Sequence, residues 1–108
     1  MGNYVVRNRY VVSYIPEGER WPTGILTGHD NGRRCFVVEW VVSFDPLRLT
    51  ELLRAGIAEA IRHGFGAIAF NIPHEFPTSK ALRRVSENLG FRETEKDDFQ
   101  SYFFRTVP

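Results

Sequence analysis

The amino-acid sequence predicts a mixed β-sheet with helices, an α+β or α/β fold with the element order β-β-β-α-β-α-β-β. Two observations support this class. The first half of the chain is rich in Val, Tyr and Phe, which favour strands, and at Asp45 the hydrophobic period lengthens to that of a helix. An apolar run of strand length, residues 67–72, follows the helix, and this spacing is typical of a parallel βαβ unit.

Length and composition restrict the function classes. A chain of 108 residues is expected to form a single domain over residues 1–108. Lys and Arg total 14 against 13 Asp and Glu, and a net charge of +1 argues against a general nucleic-acid binder. The single cysteine, Cys35, excludes an internal disulfide, and no Cys/His cluster suggests zinc. No apolar run is long enough to span a membrane, so we expect a cytoplasmic protein.

The N-terminal half predicts three strands. The first covers residues 4–15 as one strand, although a hairpin turning at Asn8 is the alternative; its shared face carries Tyr4, Val6, Tyr10, Val12 and Tyr14. The second covers residues 23–28 and leads into an Asn31-Gly32 hairpin turn.

The third predicted strand, residues 35–44, is apolar on both faces. One face would carry the side chains of Phe36, Val38, Trp40, Val42 and Phe44, and the other those of Cys35, Val37, Glu39, Val41 and Ser43. Such a pattern is typical of a central strand that is covered on both sides.

The second half predicts two helices and three strands. Asp45 is a good N-cap for a helix that begins at Pro46 and ends at Gly64, and Gly56 inside it indicates close packing on the sheet. After the strand at residues 67–72, Ser79 can cap a second helix that ends at Gly90. The last two strands cover residues 91–96 and 99–107.

Two stretches resemble the GNAT superfamily of N-acetyltransferases. Residues 81–91, Ala-Leu-Arg-Arg-Val-Ser-Glu-Asn-Leu-Gly-Phe, are similar to the family's fourth-helix ending A-x-x-L-Y-E-K-x-G-F. Residues 64–70 are similar to the end of its third helix and its fifth strand. The resemblance covers roughly residues 23–107 and implies a GNAT-like mixed sheet that lacks the family's first strand and first two helices.

The resemblance also implies a function. A GNAT-like N-acyltransferase would transfer an acetyl group from acetyl-CoA to an amine. The alternative is a non-catalytic GNAT-fold protein, a pseudoenzyme that acts as a protein-interaction or acyl-CoA-binding module. The sequence departs from the family at the cofactor loop and at the general acid, the features that would distinguish an active enzyme from a pseudoenzyme.

The family's pyrophosphate-binding loop, Q/R-x-x-G-x-G/A, corresponds to residues 44–49, which contain no glycine. Pro46 has no N–H to donate, and Asp45 would repel a phosphate, whereas Arg48 could partly compensate. The tyrosine that often serves as the family's general acid corresponds to Ser86, and an asparagine that contacts the cofactor corresponds to Ser79.

Two residues are candidate catalytic groups. Glu39 lies on the strand where family members often carry a general base; alternatively, it pairs with an Arg or Tyr across the sheet or points to solvent. His74, with Glu75 and Ser43, would lie beyond the carboxyl ends of the parallel strands, or is a solvated loop histidine. His29 at a hairpin tip and His63 at a helix end have structural explanations.

The candidate cofactor-binding residues follow from the same resemblance. The sheet would open beside residues 41–43, and backbone groups there would orient the thioester. Nearby side chains would bind the remainder of the cofactor. The candidate cofactor-binding residues are Val41, Val42, Ser43, Arg48 and Ser79. The Tyr-rich first strand and Trp21 would lie at an edge that the missing first strand leaves exposed. We therefore expect a homodimer formed through this side.

Overall fold

One mixed sheet and two helices make up the part of the chain described by the computed structural model, residues 9–75 and 79–107 without the side chains of Arg9 and Pro46. The sheet has the strand order β1-β2-β3-β4-β6-β5. The strands are β1 (Arg9–Tyr14), β2 (Gly24–Asp30), β3 (Cys35–Ser43), β4 (Ala67–Pro73), β5 (Arg92–Lys96) and β6 (Gln100–Thr106). The helices are α1 (Leu49–Arg62) and α2 (Ser79–Asn88), and this element order confirms the predicted one.

The parallel pair at the centre of the sheet is confirmed. β3 and β4 pair in parallel from Cys35 opposite Ala67 to Val37 opposite Ala69, and α1 is the crossover between them. Every other pair of neighbouring strands is antiparallel. The carboxyl ends of β3 and β4 therefore lie at the same edge of the sheet.

The first strand is confirmed over residues 9–14, where it pairs with β2. Residues 4–8, including the alternative turn at Asn8, lie outside the described residues. Tyr10 and Tyr14 pack against the core and Val12 is buried, as the period-two pattern predicts, while Val11 is exposed.

Both helices pack on the same face of the sheet, because they contact each other and contribute to one hydrophobic core. Gly56 brings α1 close to this face: a Cβ there would lie 2.9 Å from Cδ1 of Leu26. Neither helix covers the opposite face, on which Val11, Val42 and Phe104 are exposed. The prediction that β3 is covered on both sides is therefore wrong for the described residues, since both helices are used on one side.

A β-bulge at Glu39 reverses the alternation of β3. Thr27 pairs with Trp40 and Gly28 with Val38, so Glu39 is the extra residue. Consequently Phe36 and Val38 are buried, whereas the side chains that follow on the predicted face, Trp40, Val42 and Phe44, are 70%, 43% and 62% exposed. The prediction that the even-numbered side chains of β3 share one face is wrong beyond Val38. A strand that is apolar on both faces has no alternation of polar and apolar residues, so the sequence does not show where a bulge shifts the register.

The two helix starts differ from the predicted caps. A 3₁₀ turn, Pro46–Arg48, precedes α1, and the Asp45 side chain accepts a hydrogen bond from the Leu47 N–H at 3.0 Å within that turn. The Ser79 hydroxyl donates to the carbonyl of Pro73 instead of capping α2, and so ties the helix start to the end of β4. Within the described residues, no helix has the length and apolar character needed to cross a membrane.

Candidate functional site

A cleft opens where β3 and β4 separate. The two strands pair over only three residues, to Val37 and Ala69, and then diverge around a space of about 420 Å³. Its walls come from both strands, from the start of α2 and from β6; they are Val37, Val38, Glu39, Trp40, Val41, Phe70, Asn71, Pro73, Ser79, Leu82 and Gln100. In open α/β sheets, ligands bind beyond the carboxyl ends of parallel strands, which is where this cleft lies.

One local feature lies at the separation. The bulge at Glu39, two residues after the last residue of β3 that pairs with β4, bends β3 and increases its twist. The β3 backbone from Val38 to Val41 consequently borders the cleft with no paired β4 residue in the described structure.

Glu39, a predicted catalytic residue, lines the cleft beside a histidine. Its Oε2 lies 3.4 Å from Nδ1 of His29, and the two side chains are 24% and 35% exposed. The sequence had suggested an Arg or Tyr partner or a solvent-facing carboxylate. The histidine was missed because β2 was expected to end at Gly28, whereas it continues to Asp30 and places His29 in the strand and not at a hairpin tip.

The chemistry of this pair is that of a proton acceptor. Nδ1 of His29 is shielded from solvent and has no hydrogen-bond partner among the described residues, because 3.4 Å from Glu39 is longer than an ordinary charge-assisted hydrogen bond. A carboxylate in the wall of a cleft, with a histidine beside it, can accept a proton from a bound ligand. Extension of the predicted strand β2 by two residues would have included His29, on the same face of the strand as Thr27. His29 would then have been a candidate neighbour of β3.

His74, the other predicted catalytic residue, does not line the cleft with Glu39. Its backbone N–H donates to the Phe99 carbonyl at 2.8 Å, and its Nε2 lies 3.0 Å from Oγ of Ser101. Nη2 of Arg83 donates to the same hydroxyl at 2.9 Å. The Ser101 hydroxyl and the Arg83 guanidinium hold the pKa of the Glu93 carboxyl below its ordinary value. His74 thus belongs to a polar cluster between α2 and β6.

The predicted thioester-binding residues separate into two groups. Val41 and Ser79 line the cleft. Val42 does not, and its side chain is 43% exposed. The Ser43 hydroxyl donates to the Asp45 carbonyl at 2.7 Å and so stabilises the turn before α1. Ser86, the counterpart of the family's tyrosine, is buried and donates to the Leu82 carbonyl at 2.6 Å.

Arg48, predicted to hold a phosphate, is surrounded by carboxylates. It lies 3.3 Å from Glu51, 3.8 Å from Asp45 and 3.8 Å from Glu19. The hydrogen bond to Glu51, together with the charges of Glu51 and Glu19, raises the pKa of the guanidinium. Arg48 is therefore already paired with negative charge that belongs to the chain.

Metal-ligating side chains are dispersed over the fold. Across residues 9–75 and 79–107, no three His, Cys, Asp or Glu side chains lie close enough together to hold a metal ion.

Comparison with known proteins identifies the fold. No family model matches the sequence, and no curated protein matches it. Solved structures do match. A GNAT-family acetyltransferase from Staphylococcus aureus Mu50 has a TM-score of 0.72 at 13% identity, over 93% of this chain and 68% of that one.

Two aminoglycoside acetyltransferases are also similar. Aminoglycoside 6'-acetyltransferase type Ii has a TM-score of 0.70 at 17% identity, over 94% of this chain and 72% of that one. The aminoglycoside 6'-N-acetyltransferase from Enterococcus faecium has a TM-score of 0.67 at 13% identity, over 94% and 77% of the two chains. The sheet order, the parallel pair that opens into a cleft and these matches agree: the fold of this chain is that of the GNAT superfamily of acetyltransferases.

Proposed function

We propose that this chain is an N-acyltransferase that moves an acetyl group from acetyl-CoA, or from a related thioester, to an amine. The cleft between β3 and β4 is the observation that carries this proposal. It combines strand backbone that is not paired with β4, apolar walls and the Glu39 carboxylate in one place, and the GNAT fold of the chain is consistent with it.

The thioester arm of the donor fits the unpaired edge of β3. An extended arm that contains amide groups can hydrogen-bond to the backbone of residues 38–41 as an added strand would. Val38, Phe70 and Leu82 offer apolar surface to the acyl group and the sulfur. A backbone N–H at this edge would stabilise the negative charge that develops on the thioester oxygen.

Glu39 and His29 supply the proton transfer. The amine nitrogen attacks the thioester carbonyl carbon, the C–S bond breaks, and the sulfur leaves as a thiolate. The proton that the amine loses passes to the Glu39 carboxylate, which becomes neutral, and Nδ1 of His29, 3.4 Å away, can take the proton on in turn. Positioning of the two substrates in one cleft contributes the remainder of the rate enhancement.

Obstructing the cleft tests this assignment. We expect Asn71→Trp to weaken binding of an acetyl thioester, measured by isothermal titration calorimetry, by about tenfold or more, because Asn71 is an exposed residue of the cleft wall and an indole there would fill the space. The matched control is Asn88→Trp, an exposed position at the end of α2 outside the cleft. Equal affinities of the two variants would contradict the proposal.

The β1 end of the sheet supports a second proposal, a homodimer in which the two chains meet at this strand. β1 is the terminal strand of the sheet, and Val11 on its outer face is 69% exposed. Edge strands and exposed apolar side chains are features of interfaces.

Sedimentation equilibrium is expected to give about twice the 12.5 kDa of one chain. We expect Val11→Glu to reduce that mass to a single chain, because the substitution buries a charge in the interface. Leu47→Glu, at a 93% exposed position in the turn before α1, should leave the mass unchanged. A single-chain mass for the unmodified protein at micromolar concentration would contradict the dimer.

A further inference from the structure

We propose that recognition of the donor ends at its thioester arm, so that a nucleotide diphosphate adds no affinity and the substrate class is acyl thioesters on an amide-bearing arm, with or without a nucleotide. This inference rests on the proposed function. Its basis is the turn between β3 and α1, which carries its own anions at the place where a phosphate would have to bind.

The turn lies directly beyond the cleft. Val41 lines the cleft and Ser43 ends β3, so the turn begins about 7 Å further along the strand at ~3.3 Å per residue. A donor arm that pairs with β3 and leaves the cleft along the strand would bring the groups beyond its thioester end to this turn. A diphosphate at that position would need free N–H groups or free cations.

The N–H groups of the turn are already used. Asp45 Oδ1 accepts from the Leu47 N–H at 3.0 Å, and the Asp45 carbonyl accepts from the Arg48 N–H at 2.9 Å. Pro46 has no N–H. The Asp45 carboxylate thus occupies the place that an anionic ligand takes at a helix start, and a phosphate would have to displace it.

The charge around the turn is also unfavourable. Glu19 from the β1–β2 loop, Asp45 from the turn and Glu51 from α1 all lie within 3.8 Å of the Arg48 guanidinium. Three carboxylates against one guanidinium leave two negative charges in this cluster. A diphosphate would be repelled by that excess and would also have to compete with Glu51 for the guanidinium.

The experiment compares two donors by isothermal titration calorimetry at low ionic strength, acetyl-CoA and S-acetyl-pantetheine, which share the thioester arm and differ in the nucleotide. We expect their dissociation constants to agree within about threefold, because the exposed charges of the turn offer the nucleotide no net attraction. For the double variant Glu19→Gln/Glu51→Gln, we expect acetyl-CoA to bind about tenfold more tightly, because the two negative charges in excess are removed and Asp45 alone remains beside the Arg48 guanidinium. Binding of S-acetyl-pantetheine should not change.

A matched control removes two carboxylates away from the turn. Glu87→Gln/Asp98→Asn makes the same change in net charge at exposed positions of α2 and the β5–β6 connection, and should leave both constants unchanged. Thermal denaturation of each variant verifies that it is folded.

The outcomes separate the inference from the proposed function. Binding of acetyl-CoA about tenfold or more tightly than S-acetyl-pantetheine by the unmodified protein would overturn the inference and leave the proposed function intact. Loss of that preference in Lys80→Ala would then identify the exposed Lys80 of α2 as the phosphate partner. Absence of binding of both donors at millimolar concentration would instead overturn the proposed function, and the inference with it.

Discussion

Substitution of Glu39 by Gln is expected to lower kcat for acyl transfer about a hundredfold, the lower range for loss of a general base. Glutamine keeps the size of the side chain at the bulge but cannot accept the proton that the amine loses. Since the donor arm pairs with the strand backbone, the donor dissociation constant should stay within about twofold. Initial rates with a primary amine acceptor, combined with calorimetry of the donor, measure both quantities.

Glu75→Gln is the matched control. Glu75 is an exposed carboxylate just beyond the carboxyl end of β4, and it does not line the cleft. Its substitution should change kcat by less than about twofold, because an exposed charge outside the cleft contacts no reacting group. If Glu39→Gln and Glu75→Gln had the same rate as the unmodified protein, Glu39 would not be the base.

Phe36→Ala is expected to lower the free energy of unfolding by about 3–5 kcal/mol, the usual cost of truncating a buried phenylalanine. The Phe36 ring is 1% exposed and packs between Tyr10 and Phe65, with ring centroids 5.7 and 5.5 Å away. The loss is a large fraction of the stability of a domain of this size. Urea unfolding followed by circular dichroism measures it.

Phe44→Ala provides the comparison that tests the bulge. Strict alternation along residues 35–44 would bury Phe36 and Phe44 alike, and both truncations would then be costly. In the structure Phe44 is 62% exposed, so its truncation should change the free energy of unfolding by no more than about 0.5 kcal/mol. Similar losses for the two variants would contradict the reversal of faces at Glu39.

The order of the elements could be predicted because each has its own local cause. The change of period at Asp45 and the glycine at position 64 delimit α1 without knowledge of the rest of the chain. The parallel pairing of β3 and β4 follows from the length of the crossover alone. Glu39 and Val41 could be assigned to a site from the resemblance to the GNAT family, and both line the cleft.

The partners of those residues could not be predicted. Proximity of His29 to Glu39 depends on the register between β2 and β3 and on a one-residue bulge, which no local preference of this apolar strand specifies. His74 contacts Ser101, which lies 27 positions later, and Arg48 contacts Glu19 of the β1–β2 loop. Both contacts join segments that are distant along the chain, so neither could be read from the neighbouring residues.

The sequence by itself determined which segments are strands and helices and how they follow one another, because propensity, capping and hydrophobic period act over a few neighbouring residues. Only the tertiary structure decided where β3 separates from β4, which face of β3 is buried beyond Val38, and which charges surround Arg48. Strand register and side-chain pairing depend on the packing of segments that are distant along the chain, so they are fixed only when the sheet assembles.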